Sequence, residues 1–293
     1  MVAERLSLLS VHAHPDDEAS KGAATVAKYA AEGAKTVLVC CTDGAAGDIL
    51  NPAMDSEEVK ANLAKVRMEE LAASVDVIGY EVLELLGYRD SGMPDSEHNA
   101  HPECFAQAPL DEAVGRLVKL IREHKPHVIL TYGDDQRGYP HPDHLRVHEI
   151  SVIAFDAAGD PDQYPELGEP WQPLKMYYST WSRARMVAMH EKFLELGIES
   201  PFDEKWFERP SQDDQITTRV DISEQWEVRT KALLAHATQI DPESKFWFGL
   251  PPEAMKTVHP WEDYVLARSL VDTPEQDAHE DDLFAGVRER VKS

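Results

Sequence analysis

Short apolar runs alternate with longer amphipathic stretches through the first half of the chain. Each apolar run ends in polar or glycine-containing sequence, as expected for strands of a mostly parallel sheet. The stretches between them have the length and spacing of helices, which favours repeated strand-helix-strand units. The predicted strands are residues 6–12, 36–42, 81–86 and 127–132, and the predicted helices are residues 18–33, 57–79 and 110–124, with Gly33 and Gly79 as helix stops.

The chain changes character after about residue 160, where a series of four prolines interrupts any long element. We therefore expect an α/β fold in two parts. Residues 1–160 form a Rossmann-like, mostly parallel sheet with helices on both faces, and residues 161–293 form a smaller α+β region that caps and completes it. The elements predicted in this second part are strands at 174–180 and 216–222, helices at 183–196 and 223–237, and a solvated acidic end at 272–282.

Composition narrows the range of partners. The chain has 293 residues, of which 42% are hydrophobic, so it can bury a sizeable core. Asp and Glu number 54 against 29 Lys and Arg, which gives a formal net charge of −25. Such a charge repels both a phosphate backbone and an anionic membrane, so we expect no nucleic-acid or membrane partner and leave a homo-oligomer open.

The amino terminus and the cysteines indicate the compartment. The first apolar run is short and charged residues precede it, so we expect neither a signal peptide nor a membrane span. Cys40, Cys41 and Cys104 form no CxxC pair, and the adjacent two lie in a predicted strand, where they point to opposite faces. These features predict a protein of the reducing cytoplasm.

Polar clusters follow all four predicted strands of the first half. They lie at residues 14–18, 43–48, 89–92 and 139–144. In a doubly wound sheet, ligands bind outside the carboxyl ends of the strands, because several connecting loops converge there. The four clusters therefore belong to one edge, and we expect the functional site at that edge.

Two of these clusters carry His and Asp at spacings that suit a metal ion. His14, Asp17 and His144 offer two imidazoles and one carboxylate, which are zinc ligands in proteins. Three protein ligands leave a fourth position for water, the arrangement of catalytic sites. The alternative is that each dipeptide is only a turn, or that Asp16 or Asp17 caps the following helix. Two such clusters at separate strand ends favour the metal.

The neighbours of these ligands have the chemistry for hydrolysis. Asp16 stands next to a ligand and is the natural general base for a metal-activated water. His141 and Asp143 form a second pair, in which a carboxylate favours a protonated imidazole that can stabilise an oxyanion or protonate a leaving amine. Tyr139 can donate its hydroxyl to the same oxyanion, although a loop or core aromatic is nearly as good an interpretation.

With AHPDDE near the amino terminus and HPDH far downstream, the chain resembles the LmbE-like, PIG-L type zinc de-N-acetylase superfamily. Further segments are similar to its mycothiol S-conjugate amidase branch, and together they extend over nearly the whole chain. They are SKGAAT at 20–25, GDILNPAMD at 47–55, YRDSGMP at 88–94, YPHPDH at 139–144, AHATQIDP at 235–242 and DLFAG at 282–286.

The resemblance implies hydrolysis of the amide bond between glucosaminyl-inositol and the N-acylcysteine of a mycothiol S-conjugate. It implies zinc on His14, Asp17 and His144, with ferrous iron as an alternative in cells. It also implies that Asp16 is the base, that Tyr139 is the oxyanion donor and that His141 with Asp143 is an imidazolium pair. By the same resemblance, Asp48, Arg67 and Asp90 bind sugar and inositol hydroxyls, and Lys21 marks the amidase branch.

The substrate and the role remain open at this point. Residues 43–48 read DGAAGD where the amidase branch commonly reads GGERGD, so two charged residues are replaced by alanine. This change suits an apolar or bulky S-substituent, in detoxification or in trimming a mycothiol-conjugated antibiotic intermediate of the lincosamide type. The alternatives are a de-N-acetylase of N-acetylglucosaminyl-inositol and a non-catalytic binding protein.

Overall fold

The structure, a computed structural model, describes residues 5–134, 139–208, 210–272 and 279–292. These residues contain one seven-stranded sheet in the order β3-β2-β1-β4-β5-β7-β6. The strands are β1 (Ser7–His12), β2 (Lys35–Thr42), β3 (Val82–Tyr88), β4 (Val128–Tyr132), β5 (Lys175–Thr180), β6 (Thr218–Asp221) and β7 (Trp261–Ser269).

The first five strands are parallel, and β7 runs antiparallel to its neighbours β5 and β6. Every residue of β1 is buried, because helices cover both faces of the sheet at its centre. Cys40 and Cys41 lie in the separate apolar clusters of the two faces, which confirms that they point in opposite directions. The predicted α/β fold with a mostly parallel sheet is confirmed.

The helices in the described residues include all those that were predicted, together with five that were not. They are α1 (Asp17–Ser20), α2 (Ala23–Ala31), α3 (Glu57–Ala61), α4 (Leu63–Ile78), α5 (Leu110–His124), α6 (Pro142–Ala157), α7 (Arg183–Glu195), α8 (Glu204–Glu208), α9 (Trp226–Ala235), α10 (Lys245–Phe248), α11 (Pro252–Val258) and α12 (Val287–Lys292). None of the helices in the described ranges is both long and apolar enough to span a bilayer.

Two predicted helices are each divided. The helix predicted over 18–33 breaks at Gly22, whose φ of +96° is a left-handed conformation that ends α1 before α2 begins. The helix predicted over 57–79 is interrupted at Asn62, whose backbone departs from helical geometry. Gly79 ends α4 in the left-handed conformation, as predicted.

Six of these elements were not predicted: strand β7 and helices α6, α8, α10, α11 and α12. Helix α6 begins at Pro142 directly after the capping residue His141, and its buried Val147, Ile150 and Ala154 have helical spacing. Strand β7 lies between β5 and β6, and the alternation of its residues is interrupted by buried acids.

The acidic carboxyl-terminal segment is not simply solvated. Glu280 is buried and accepts hydrogen bonds from Lys175 Nζ at 2.6 Å, the Tyr177 hydroxyl at 2.6 Å and Thr218 Oγ1 at 3.0 Å. A buried ammonium needs a carboxylate partner, and this requirement brings the segment onto β5 and β6. The prediction of a solvated end is therefore wrong at Glu280. Residues 273–278 lie outside the described residues.

Candidate metal and catalytic site

The loops that follow β1, β3 and β4 bring the predicted site residues together at the carboxyl edge of the sheet. His14 and Asp16 lie between β1 and α1, and Asp17 is the first residue of α1. Asp90 follows β3. His141 caps the amino terminus of α6, and its Nδ1 accepts the backbone N–H of Asp143 at 3.1 Å. Pro142 fixes the first helical turn, because its φ is preset for a helix and it lacks an N–H.

His14, Asp17 and His144 form a compact buried group. One ligand atom from each lies within 4.8 Å of the other two. Asp17 Oδ2 is 3.4 Å from His14 Nδ1 and 3.4 Å from His144 Nε2. These separations leave the two imidazole nitrogens directed at one carboxylate oxygen without a good hydrogen bond to it.

The chemistry of this group fits a metal ion. His144 Nε2 is buried and has no hydrogen-bond partner among the described residues. Burial lowers the pKa of His144, and the ring is therefore neutral at neutral pH. Burial by itself would raise the pKa of Asp17, but the ammonium group of Lys21 beside it holds that pKa well below the usual range. A neutral imidazole and an ionised carboxylate are the forms that bind metals.

His14 is surrounded by carboxylates that favour a positive charge at its position. Burial opposes its protonation, but its hydrogen bond to Asp143 and the nearby carboxylates of Asp17 and Asp90 raise the pKa of His14 well above its ordinary value. Its Nε2 lies 3.2 Å from Asp143 Oδ2, so this nitrogen donates to the carboxylate and leaves Nδ1 facing Asp17. Carboxylates that accept from the outer nitrogen of a histidine orient it for metal binding.

The Asp143 carboxylate forms hydrogen bonds with His14 and Ser91 rather than with the His141 side chain. It is fully buried, and its Oδ2 accepts the Ser91 backbone N–H at 3.0 Å while its Oδ1 accepts the Ser91 hydroxyl. Burial, together with the nearby His14, lowers the pKa of His141 to about 4. The structure therefore does not form the expected imidazolium pair, because the Asp143 carboxylate already has three donors.

Asp16 stands at the edge of the group with its side chain 28% exposed. Its φ is +123°, which few residues other than glycine adopt. Arg67 Nη2 lies 3.3 Å from Asp16 Oδ2 and also donates to the Pro15 carbonyl at 2.6 Å. Burial raises the pKa of Asp16, and the Arg67 charge opposes this rise.

Arg67 and Asp90, which were predicted to bind substrate, form hydrogen bonds with the backbone of nearby loops. Arg67 is buried, with Nη1 donating to the Gly44 carbonyl at 2.7 Å and Nη2 to Pro15. Asp90 is buried as well, and its oxygens accept the backbone N–H groups of Gly92 at 2.8 Å and Ala46 at 3.2 Å. These contacts order the loops, and the role of Arg67 and Asp90 in binding polyol hydroxyls stays a prediction.

The Arg67 guanidinium also explains two glycines in the loop after β2. A side chain at Gly44 or at Gly47 would place its Cβ 2.6 Å from guanidinium atoms of Arg67. Gly44 also has a φ of +65°. Arg67 and this loop therefore fit only because both positions lack a side chain.

The remaining predicted residues are Tyr139, Lys21 and Asp48, which we call the rim residues. Tyr139 is 51% exposed, and its ring lies 5.4 Å from that of His144 and 5.9 Å from that of His141. Lys21 Nζ donates to Asp17 Oδ1 at 2.5 Å. Asp48 is exposed, and its backbone carbonyl accepts a hydrogen bond from Gln239 Nε2 at 3.0 Å.

Four contributors to the site were not predicted: Glu18, Ser91, Tyr132 and His236. The Tyr132 ring stacks on His144 at 4.5 Å with an interplanar angle of 8°, and its hydroxyl accepts the Ala13 N–H at 3.1 Å. Tyr132 ends β4, so the strand-end rule contains a signal for it. Ser91 lies within a polar cluster that was singled out. His236 gives no local signal, because its partner Glu18 is 218 residues away.

The chain is similar to several known proteins. Residues 9–155 match the family described as PIG-L: GlcNAc-PI de-N-acetylase. The chain is 45% identical to the mycothiol S-conjugate amidase of Streptomyces coelicolor, over 99% of this chain and 100% of that protein. It is 38% identical to the 1D-myo-inositol 2-acetamido-2-deoxy-alpha-D-glucopyranoside deacetylase of Streptomyces avermitilis, over 96% and 97% of the two chains.

A solved structure supports the fold. The N,N'-diacetylchitobiose deacetylase from Pyrococcus horikoshii matches with a TM-score of 0.61 at 18% identity, over 92% of this chain and 88% of that one. At this identity the match bears on the fold alone. It agrees with the arrangement of strands and helices described above.

Proposed function

The chain belongs to the PIG-L family of de-N-acetylases, and from this premise we propose that it is a zinc-dependent amidase of mycothiol S-conjugates. The bond cut is the amide between glucosaminyl-inositol and the N-acylcysteine. The observation that carries the proposal is the buried group His14, Asp17 and His144 beside the partly exposed Asp16. The greater identity to the amidase than to the deacetylase favours the conjugate as substrate.

The residues around the group have distinct tasks in this hydrolysis. Zinc, when bound, supplies a Lewis acid that polarises a carbonyl group and acidifies water. Asp16 takes a proton from the attacking water, whose oxygen bonds to the amide carbon. The Tyr139 hydroxyl donates to the developing oxyanion. When the carbon–nitrogen bond breaks, the proton on Asp16 passes to the glucosamine nitrogen, and the products are an amine and a carboxylic acid.

His141 contributes as a neutral donor in this scheme. Its Nδ1 accepts the Asp143 backbone N–H, so the ring proton lies on Nε2. We assign that Nε2–H to the oxyanion beside Tyr139. The assignment replaces the imidazolium role, because the pKa of His141 lies at about 4.

The rim residues are assigned to the substrate. Asp48 is the exposed carboxylate that we assign to sugar or inositol hydroxyls. Lys21 keeps Asp17 ionised and lines the same edge. Ala45 and Ala46 replace charged residues at the mouth of the site and favour an apolar S-substituent. From the region 161–293, Gln239 binds the Asp48 backbone carbonyl and His236 binds Glu18, which suits the proposed role of this region in completing the catalytic domain.

The compartment and the metal in cells belong to the same proposal. Cys40, Cys41 and Cys104 are all free and buried, as in a protein of the reducing cytoplasm. Two imidazoles and one carboxylate also bind ferrous iron, so availability selects between iron and zinc.

A second candidate is de-N-acetylation of N-acetylglucosaminyl-inositol, which the 38% identity to a deacetylase over nearly the whole chain favours. One zinc-loaded preparation assayed on both substrates separates the two. We expect kcat/KM for a mycothiol thioether to exceed that for the acetylated sugar. A preference for the acetylated sugar would reverse the choice, and hydrolysis of neither amide by zinc-loaded protein would indicate a binding protein.

The same assay, extended to a panel of mycothiol thioethers, distinguishes a role in detoxification from a role in antibiotic biosynthesis. Mass spectrometry of the products shows which S-substituents are released as N-acylcysteine conjugates. A broad range of substituents supports detoxification. Cleavage restricted to one bulky substituent supports a dedicated step in the biosynthesis of an antibiotic.

A further inference from the structure

The peptide group between Pro15 and Asp16 is hydrogen-bonded on both sides by buried charged side chains. Its carbonyl accepts from Arg67 Nη2 at 2.6 Å, and its N–H donates to Glu18 Oε2 at 3.0 Å. The orientation of this peptide plane sets φ of Asp16. The two contacts therefore hold Asp16 at a φ of +123°, a conformation that persists only where the surroundings enforce it.

Glu18 is in turn held by two donors from distant parts of the chain. It is fully buried, and its Oε1 accepts the Ser74 hydroxyl at 2.6 Å and His236 Nε2 at 2.6 Å. Ser74 lies on α4, and His236 follows α9. One carboxylate oxygen thus binds the scaffold and the other binds the peptide of Asp16.

Of the residues that the structure describes, Glu18 alone forms a hydrogen bond with the His236 ring. The residue is fully buried, and its Nδ1 has no hydrogen-bond partner within the described ranges. A carboxylate only accepts, so Nε2 carries the proton that it shares with Glu18. A buried polar ring is costly without partners, and this single contact is the polar interaction that the described residues give it.

We propose that Glu18 and His236 are positioning residues, which act through the backbone to hold the Asp16 carboxylate where it takes the proton from water. The inference rests on the proposed function for the identity of that step. Without His236, the Glu18 carboxylate loses one of its two anchors, and the peptide before Asp16 is free to turn toward negative φ. The Asp16 side chain then leaves its position, while substrate contacts and metal ligands are unchanged.

The test compares His236→Ala with His236→Gln, whose side-chain amide supplies a donor in place of Nε2. The matched control is His190→Ala, because His190 is a partly buried histidine of α7 whose ring hydrogen-bonds to the Ser200 hydroxyl. For His236→Ala we expect kcat to fall about 10- to 100-fold, with KM within about twofold and zinc content unchanged. His236→Gln should recover most of the lost kcat, and His190→Ala should behave like the wild type.

The inference is overturned if folded, zinc-loaded His236→Ala keeps the wild-type kcat, if only KM changes, or if His236→Gln is no better than His236→Ala. If His236→Ala does not fold, Ser74→Ala removes the other donor and should lower kcat severalfold, and an unchanged kcat overturns the inference.

A crystallographic comparison gives a readout that does not depend on activity. In the refined structures, Asp16 should keep a positive φ in the wild type and change its backbone conformation in His236→Ala or Ser74→Ala. An unchanged Asp16 backbone and carboxylate in the variant would contradict the inference. If the wild-type protein hydrolyses neither amide, the proposed function is wrong. The crystallographic comparison would still show whether Glu18 and His236 position Asp16.

Discussion

Asp16→Asn should lower kcat by about 10²- to 10⁴-fold while the purified protein keeps its zinc. Asparagine has nearly the same shape and still offers an oxygen to Arg67, which lies 3.3 Å from the carboxylate. Its amide cannot take a proton from water at neutral pH. Initial rates of amine release give kcat, and elemental analysis of the same sample gives the zinc content.

The control for this variant is Asp76→Asn, which changes the same residue type at an exposed position on α4. It should leave kcat unchanged.

In the wild type, kcat/KM should fall as the pH falls through the pKa of Asp16, because only the ionised carboxylate accepts the proton. Burial raises that pKa, and the fall therefore begins at a higher pH than an ordinary Asp would give. Normal turnover of zinc-loaded Asp16→Asn would show that another group is the base.

His144→Ala should lower the zinc affinity of the protein as well as kcat. Its Nε2 is buried, has no hydrogen-bond partner within the described part of the chain and lies 3.4 Å from Asp17 Oδ2, as suits a metal ligand. Loss of an outer partner of a ligand costs about 10- to 100-fold in metal affinity, and loss of a ligand should cost more than about 100-fold. Competition with a chelating dye measures the zinc affinity of the variant and the wild type.

His190→Ala serves as the control for His144→Ala, because it removes a histidine of α7 that hydrogen-bonds only to Ser200 among the described residues. It should bind zinc as the wild type does. Thermal unfolding of the zinc-free proteins tests whether His144→Ala has lost its fold. Unaltered zinc affinity in a folded His144→Ala would remove this histidine from the ligand set.

The strands and the edge of the sheet where the site lies follow from local sequence patterns. Continuous apolar runs identify β1 to β4, and the polar residues after each run must share the carboxyl edge of a parallel sheet. For this reason His14, Asp17 and His144 were predicted together although 127 positions separate the second from the third. The break in the first helix was missed, because it depends on the conformation of Gly22.

The hydrogen-bonding roles within the site do not follow from spacing. Asp143 is two residues from His141 and was predicted to pair with it, but a side chain at the start of a helix points where its rotamer and burial allow. It binds His14 and Ser91 from other loops. Arg67 was assigned to substrate, but its position on α4 directs it at the backbone of two loops. Such contacts depend on three-dimensional packing.

The most direct test of the metal site is anomalous X-ray scattering at the zinc absorption edge from crystals of the active protein. One anomalous peak should lie about 2.0–2.2 Å from ligand atoms of His14, Asp17 and His144. A fully active crystal with no peak between these three side chains, or with its zinc bound by other residues, would contradict the account.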